Sequence, residues 1–142
     1  MDLLNNPREM LETWRVDAQR FANIHRDHED KYSIKNKVLT IISIILSSVV
    51  GLTSFLPNKE SYLEIIFGSL SILAGILQAI TKFLKYETLE IKHKELSVEY
   101  LNLSKDILMY INIFSDEKIL EQFDDIKTKM SSLLTQSPSG IN

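Results

Sequence analysis

The chain has 142 residues, a formal net charge of −3 and no cysteine. That length suits one domain, and the missing thiols exclude disulfides, thiolate catalysis and cysteine-based zinc sites. So small a charge, with no basic cluster interleaved with aromatics, argues against nucleic acid as a partner.

Charge is unevenly placed. Residues 1–37 carry seven acids and seven bases, and residues 86–142 carry ten acids and six bases. Between them lie two uncharged runs, residues 38–56 (VLTIISIILSSVVGLTSFL) and residues 65–81 (IIFGSLSILAGILQAIT). Each approaches the ~20 residues that a helix needs to cross a ~30 Å hydrocarbon core. With three prolines and four glycines in the whole chain, long uninterrupted helices are allowed.

In chain order, Asn6 and Pro7 make an N-cap and first-turn pair, and residues 8–37 form a charged helix. Its seam, Leu11, Trp14, Ala18, Phe21, His25, His28 and Tyr32, alternates spacings of three and four, which is heptad patterning. No Gly or Pro separates this helix from the first run, so either one long helix or a break near residues 33–36 is expected. Residues 38–56 are the first span, 57–61 a turn opened by Pro-Asn, and 62–84 the second span. Lys82, Phe83, Lys85 and Tyr86 then suit a membrane–water interface.

Residues 85–114 repeat the heptad rhythm through Leu89, His93, Leu96, Tyr100, Leu103, Ile107, Tyr110 and Phe114. Ser115 followed by Asp116 and Glu117 marks a fresh helix start. Residues 116–134 then form an amphipathic helix burying Ile119, Leu120, Phe123, Ile126, Met130, Leu133 and Leu134. Residues 135–142 have tail composition and are assigned no structure. The expected fold is an all-α integral membrane protein. It has a two-span transmembrane helical hairpin, long cytosolic helical extensions and a C-terminal amphipathic helix.

Across an antiparallel hairpin the numbers of facing residues keep a near-constant sum, here about 118–120 with the turn near residues 59–60. Phe21 then faces the region of Leu96 and Tyr100. Lys31, Lys35, Lys37, Lys82, Lys85, Lys92 and Lys94 lie on the terminal side of the spans, whereas the turn has Lys59 alone. Both termini should therefore face the cytosol or its equivalent. The first apolar run begins too late, behind a charged helix, to read as a signal peptide.

Three sets of residues are candidates for function. Small residues let membrane helices approach closely. Ser43, Ser47 and Gly51 on the first span, with Gly68, Ser71, Gly75 and Ala79 on the second, form a stripe expected to pack the hairpin. Ser48, Thr53, Ser69 and Gln78 are polar positions that can face a lumen or bond a neighbouring helix. His25, His28 and His93 all fall on seam positions and meet under the hairpin sum. They form a candidate pH-sensing layer, because mutual repulsion on protonation would loosen the seam. No metal ligation is expected of them, since no Cys or carboxylate stands at ligand spacing.

No GxGxxG, P-loop, GxSxG, HExxH or EF-hand pattern occurs, and the acids interleave with Lys and Arg as solvated charge does. Neither an enzyme nor a cofactor is expected. The order of segments is the informative feature. A charged helix (TWRVDAQRFANIHRDHEDKY) leads into the two-run hairpin, and a helix with periodic Leu, His and Tyr (LEIKHKELSVEYLNLSKDI) follows. Over residues 8–115 this resembles the SLATT domain, the two-transmembrane effector associated with SMODS nucleotide-generating and SLOG nucleotide-sensing proteins. The resemblance implies a non-enzymatic effector that self-associates in a lipid bilayer and permeabilises it, with a homo-oligomer and a sensor protein as partners. The alternative is a structural anchor of a virion or compartment membrane, whose helical extensions bind a coat or scaffold protein.

Overall fold

A computed structural model describes residues 6–53 and 61–137, with the side chains of Thr53 and Ser61 excepted. The turn expected at 57–61, the end of the first span and residues 138–142 lie largely or wholly outside the described residues. Four helices account for nearly all the rest: α1 (Pro7–Thr53), α2 (Ser61–Leu84), α3 (Tyr86–Ile113) and α4 (Asp116–Gln136). There is no strand among the described residues. Of the two expectations for α1, the unbroken helix is the one observed, 47 residues long. Asn6 caps it: the Glu9 N–H donates to Asn6 Oδ1 at 3.3 Å, and the Asn6 amide donates back to Glu9.

One domain is expected from length, but contacts divide the chain into two compact units. The first comprises residues 1–29 and 91–142. Here α1, α3 and α4 bury Leu11, Ala18, Leu96, Tyr100, Leu103, Ile107, Ile119, Ile126 and Leu133. The pairing of α1 with α3 is antiparallel with the expected sum. Phe21 stacks on Tyr100 at 5.4 Å between centroids, and Ser97 Oγ donates to the Ala22 carbonyl at 3.0 Å. The α4 stripe is narrower than its sequence suggests. Leu120 and Leu134, expected in the core, are 53 % and 47 % exposed, because two facing helices cover only one side of a third.

Arg8 closes the corner between α3 and α4. Its guanidinium donates to the carbonyls of Ile111 and Phe114, each at 2.7 Å, and pairs with Asp116. The last turn of α3 has no basic residue of its own, so Arg8 satisfies carbonyls that the helix end leaves open. Ser115 is the N-cap of α4 in extended backbone, but its side chain makes no capping bond.

The second unit, residues 30–90, contains the rest of α1, α2 and the start of α3. Its most enclosed residues are Ser43 and Ala74, with Leu39, Leu46, Val50, Leu63, Phe67, Leu70, Leu77 and Thr81 half-buried. These keep the three-and-four rhythm, so a heptad seam of mostly larger side chains runs through both apolar helices. Tyr32 and Tyr86 meet at 6.0 Å, and Lys35 lies 5.8 and 5.7 Å above their two rings.

Lys85 separates α2 from α3 at φ 49°, the only left-handed non-glycine among the described residues. A side chain costs roughly 1–2 kcal/mol there. Replacing Lys85 with Gly should raise the midpoint of thermal unfolding in detergent. The expected gain is about 0.5–1 kcal/mol once glycine's greater freedom in the unfolded chain is set against it. A β-branched residue at the same position should lower the midpoint.

Candidate functional site: a buried histidine layer and a polar groove

The seam of the first unit places all three histidines in one layer. His25 Nδ1 lies 2.9 Å from His93 Nδ1, so one ring donates to the other. His25 Nε2 lies 3.1 Å from Ser137 Oγ, the C-cap of α4. His28 stacks on His93 at 5.2 Å, and His25 stacks on Tyr100 at 5.5 Å. The bonds from His25 thus tie α1 to both α3 and α4. Sequence reasoning finds the three histidines but misses Ser137. That residue falls in the segment expected to be tail, whereas α4 continues to Gln136.

Burial sets the chemistry of the layer. His25 is 0 % exposed and His93 is 2 % exposed, so neither ring can hydrate a charge. Burial pulls the His25 pKa below its ordinary value, and His28 beside it adds to the shift. Burial also draws His93 down to about 4, reinforced by His25, His28 and Lys92. Both rings are therefore neutral at pH 7. One added proton still leaves an N–H to donate across the 2.9 Å gap. With both rings charged, two N–H groups would face each other, removing the bond and adding repulsion.

The chain Ser137–His25–His93 has the hydrogen-bond reach of a hydroxyl, a base and an orienting group. Its central imidazole is enclosed and weakly basic, which suits a tie between helices better than a general base. Among the described residues no group of three His, Cys, Asp or Glu side chains is placed to hold a metal. Tyr100 is wholly buried below the layer. Burial raises its pKa, against a smaller opposing effect of the nearby Ser137 hydroxyl, and its own hydroxyl lacks a partner in good hydrogen-bond geometry.

The small-residue stripe is not where the apolar helices meet. Ser43 is buried, but Ser47, Gly51, Gly68, Ser71, Gly75 and Ala79 are exposed. A Cβ added at Gly51, Gly68 or Gly75 would meet nothing within 4 Å. The physical reason is the heptad seam, which brings Leu39, Leu46, Phe67 and Leu70 between the helices and leaves the glycines on flanking faces. That seam could be read from sequence by carrying the alternation of the charged helices straight through the runs.

Of the four polar candidates, Ser48 and Gln78 line one groove with Thr40, Ser43, Ser47 and Thr81. Ser69 is exposed and donates to the Ile65 carbonyl of its own helix at 2.8 Å. The side chain of Thr53 lies outside the described residues.

No protein-family model matches this chain, and neither a characterised protein nor a solved structure shows significant similarity to it. What fold and sites define is a class: an all-helical protein with two helices long and apolar enough to cross a membrane.

Proposed function

We propose that this chain is an integral membrane protein with a two-span hairpin and both ends on the cytosolic or equivalent side. It self-associates there as a non-enzymatic effector of the SLATT type and permeabilises the bilayer. One observation carries the membrane reading. In each apolar segment only 6 % of the most apolar 18-residue window is buried, whereas the core helix of a soluble protein would be mostly enclosed. Ile41, Ile45, Ile65, Ile72 and Ile76 are each at least half exposed, a patch that water does not tolerate and lipid does. The Tyr32–Lys35–Tyr86 cluster supports the same placement, since aromatic and cationic side chains gather at membrane interfaces.

A second reading has its own support. Ile91, Val98, Leu101 and Leu108 are exposed along one side of α3 in the first unit, a stripe that a coat or scaffold protein could cover. That favours the structural anchor. Two measurements decide. Cysteines placed one at a time at Gln19, Gln136 and Asn58 should label from the cytosolic side for the first two and from the opposite side for the third. Labelling of all three from one side ends the two-span reading. Dye-loaded liposomes should leak when the purified chain is reconstituted, and Gln78→Leu should reduce the leak. Vesicles that stay tight while the protein captures a coat component favour the anchor.

A further inference from the structure

The most apolar part of the chain holds a groove edged by hydroxyl and carboxamide side chains. Thr40, Ser43, Ile44, Ser47 and Ser48 of α1 and Gln78 and Thr81 of α2 line a concavity of about 540 Å³, whose exposed surface is mostly the carbon of these side chains. Ser43 is 8 % exposed, and its hydroxyl is buried without a hydrogen-bond partner. The Thr81 hydroxyl donates to the Leu77 carbonyl at 2.8 Å, which leaves its oxygen free to accept. Exposed isoleucines lie outside the groove, Ile41 and Ile45 on α1 and Ile72, Ile76 and Ile80 on α2. In hydrocarbon these flanks are satisfied by lipid tails, but unpaired hydroxyl and amide groups are not.

The lining chemistry selects the occupant. No charged side chain lines the groove, so an ion or an anionic headgroup would find no counter-charge. An acyl chain would offer no hydrogen bond to the Gln78 carboxamide or to the hydroxyls beside it. Hydroxyls and carboxamides each donate and accept, so a copy of the same groove is complementary to itself, as a two-fold interface requires. We propose that this face receives a second copy of this chain, with Gln78 of each copy bonding the exposed α1 hydroxyls of the other, those of Thr40, Ser47 and Ser48. This rests on the membrane reading above and names the surface through which self-association runs.

The test uses the absence of native cysteine. Single cysteines at Thr40, Ser47 and Gln78, and on the flanks at Ile45 and Ile72, are placed in the full chain in liposomes and mildly oxidised. Groove cysteines should give disulfide-linked dimers and flank cysteines should not. Adding Gln78→Leu to the Ser47 cysteine should raise the protein-to-lipid ratio needed for half-maximal cross-linking about tenfold, the equivalent of one interhelical hydrogen bond. Dimers through Ile45 or Ile72 alone would keep self-association and overturn this surface. Groove cysteines that react with a water-soluble maleimide but never cross-link would assign the groove to water and overturn the proposal. A monomeric mass in detergent, with no cross-link at any position, would remove the self-association reading itself.

Discussion

Acidification from pH 7.5 to 4.5 should cost the wild-type chain most of roughly 3 kcal/mol of stability, and a His93→Gln variant should lose much less. The figure is the His93 shift, from 6.5 to about 4, converted at about 1.36 kcal/mol per unit. The sign follows from proton uptake. In the unfolded chain His93 protonates near 6.5, whereas in the fold burial keeps it neutral down to about 4. Between those values the unfolded state binds more protons, so stability falls as pH falls and levels off below the folded pKa. Stability from the neutral layer is whole above pH 6.5.

The charged and aromatic groups described around His93 bear on this. His25 and His28 come from α1, Lys92 is its neighbour on α3, and Tyr100 lies one layer below. From α4, Ser137 bonds His25 and carries no charge. Glutamine at 93 can still bond His25 Nδ1 and does not titrate, but it gives up the stacking on His28. The comparison is therefore between the pH slopes of the two proteins and not between their stabilities at pH 7.5. The chain's single tryptophan, Trp14, contacts Phe123 of α4 at 4.6 Å between centroids, so its fluorescence reports whether α4 is docked. Denaturant titrations at pH 7.5, 6.0, 5.0 and 4.5 give the curve. Coincident acid limbs for the two proteins would show that the histidine layer does not govern it.

Removing the ring of Tyr100 should be the most damaging single change in the first unit. Its side chain is wholly buried between Phe21 and His25, at 5.4 and 5.5 Å from their rings. Truncating a buried aromatic to alanine costs about 3–5 kcal/mol, because the transfer energy is lost and a cavity remains. Tyr100→Phe separates packing from polarity. The buried hydroxyl lacks a well-formed hydrogen bond, so deleting it should be neutral or stabilise by about 1 kcal/mol. Unfolding midpoints of the two variants in detergent check both signs. A Tyr100→Phe loss as large as that of Tyr100→Ala would mean that the hydroxyl is bonded and the layer extends further than described.

Much of this architecture is written into the order of residues. Uncharged runs beside densely charged ones, and apolar positions recurring at three and four, specify helices and their inward faces through local geometry alone. The antiparallel sum then follows from the chain doubling back, and it places Phe21 at Tyr100 and brings the three histidines together. What the residues do not declare is which of several eligible faces wins. Glycine and serine at four-residue steps are eligible for close packing, yet the larger seam residues occupy the contact, leaving Gly75 open and Ala74 enclosed. Leu120 and Leu134 are as apolar as Leu133, but only one side of α4 meets its partners. Ser137 carries no local signal for its bond to His25, which lies 112 residues earlier in the chain. Local propensity is settled by each residue and its near neighbours. Burial, orphaned hydroxyls and a histidine held near pKa 4 arise only when distant segments exclude water from one another, and the tertiary structure decides those.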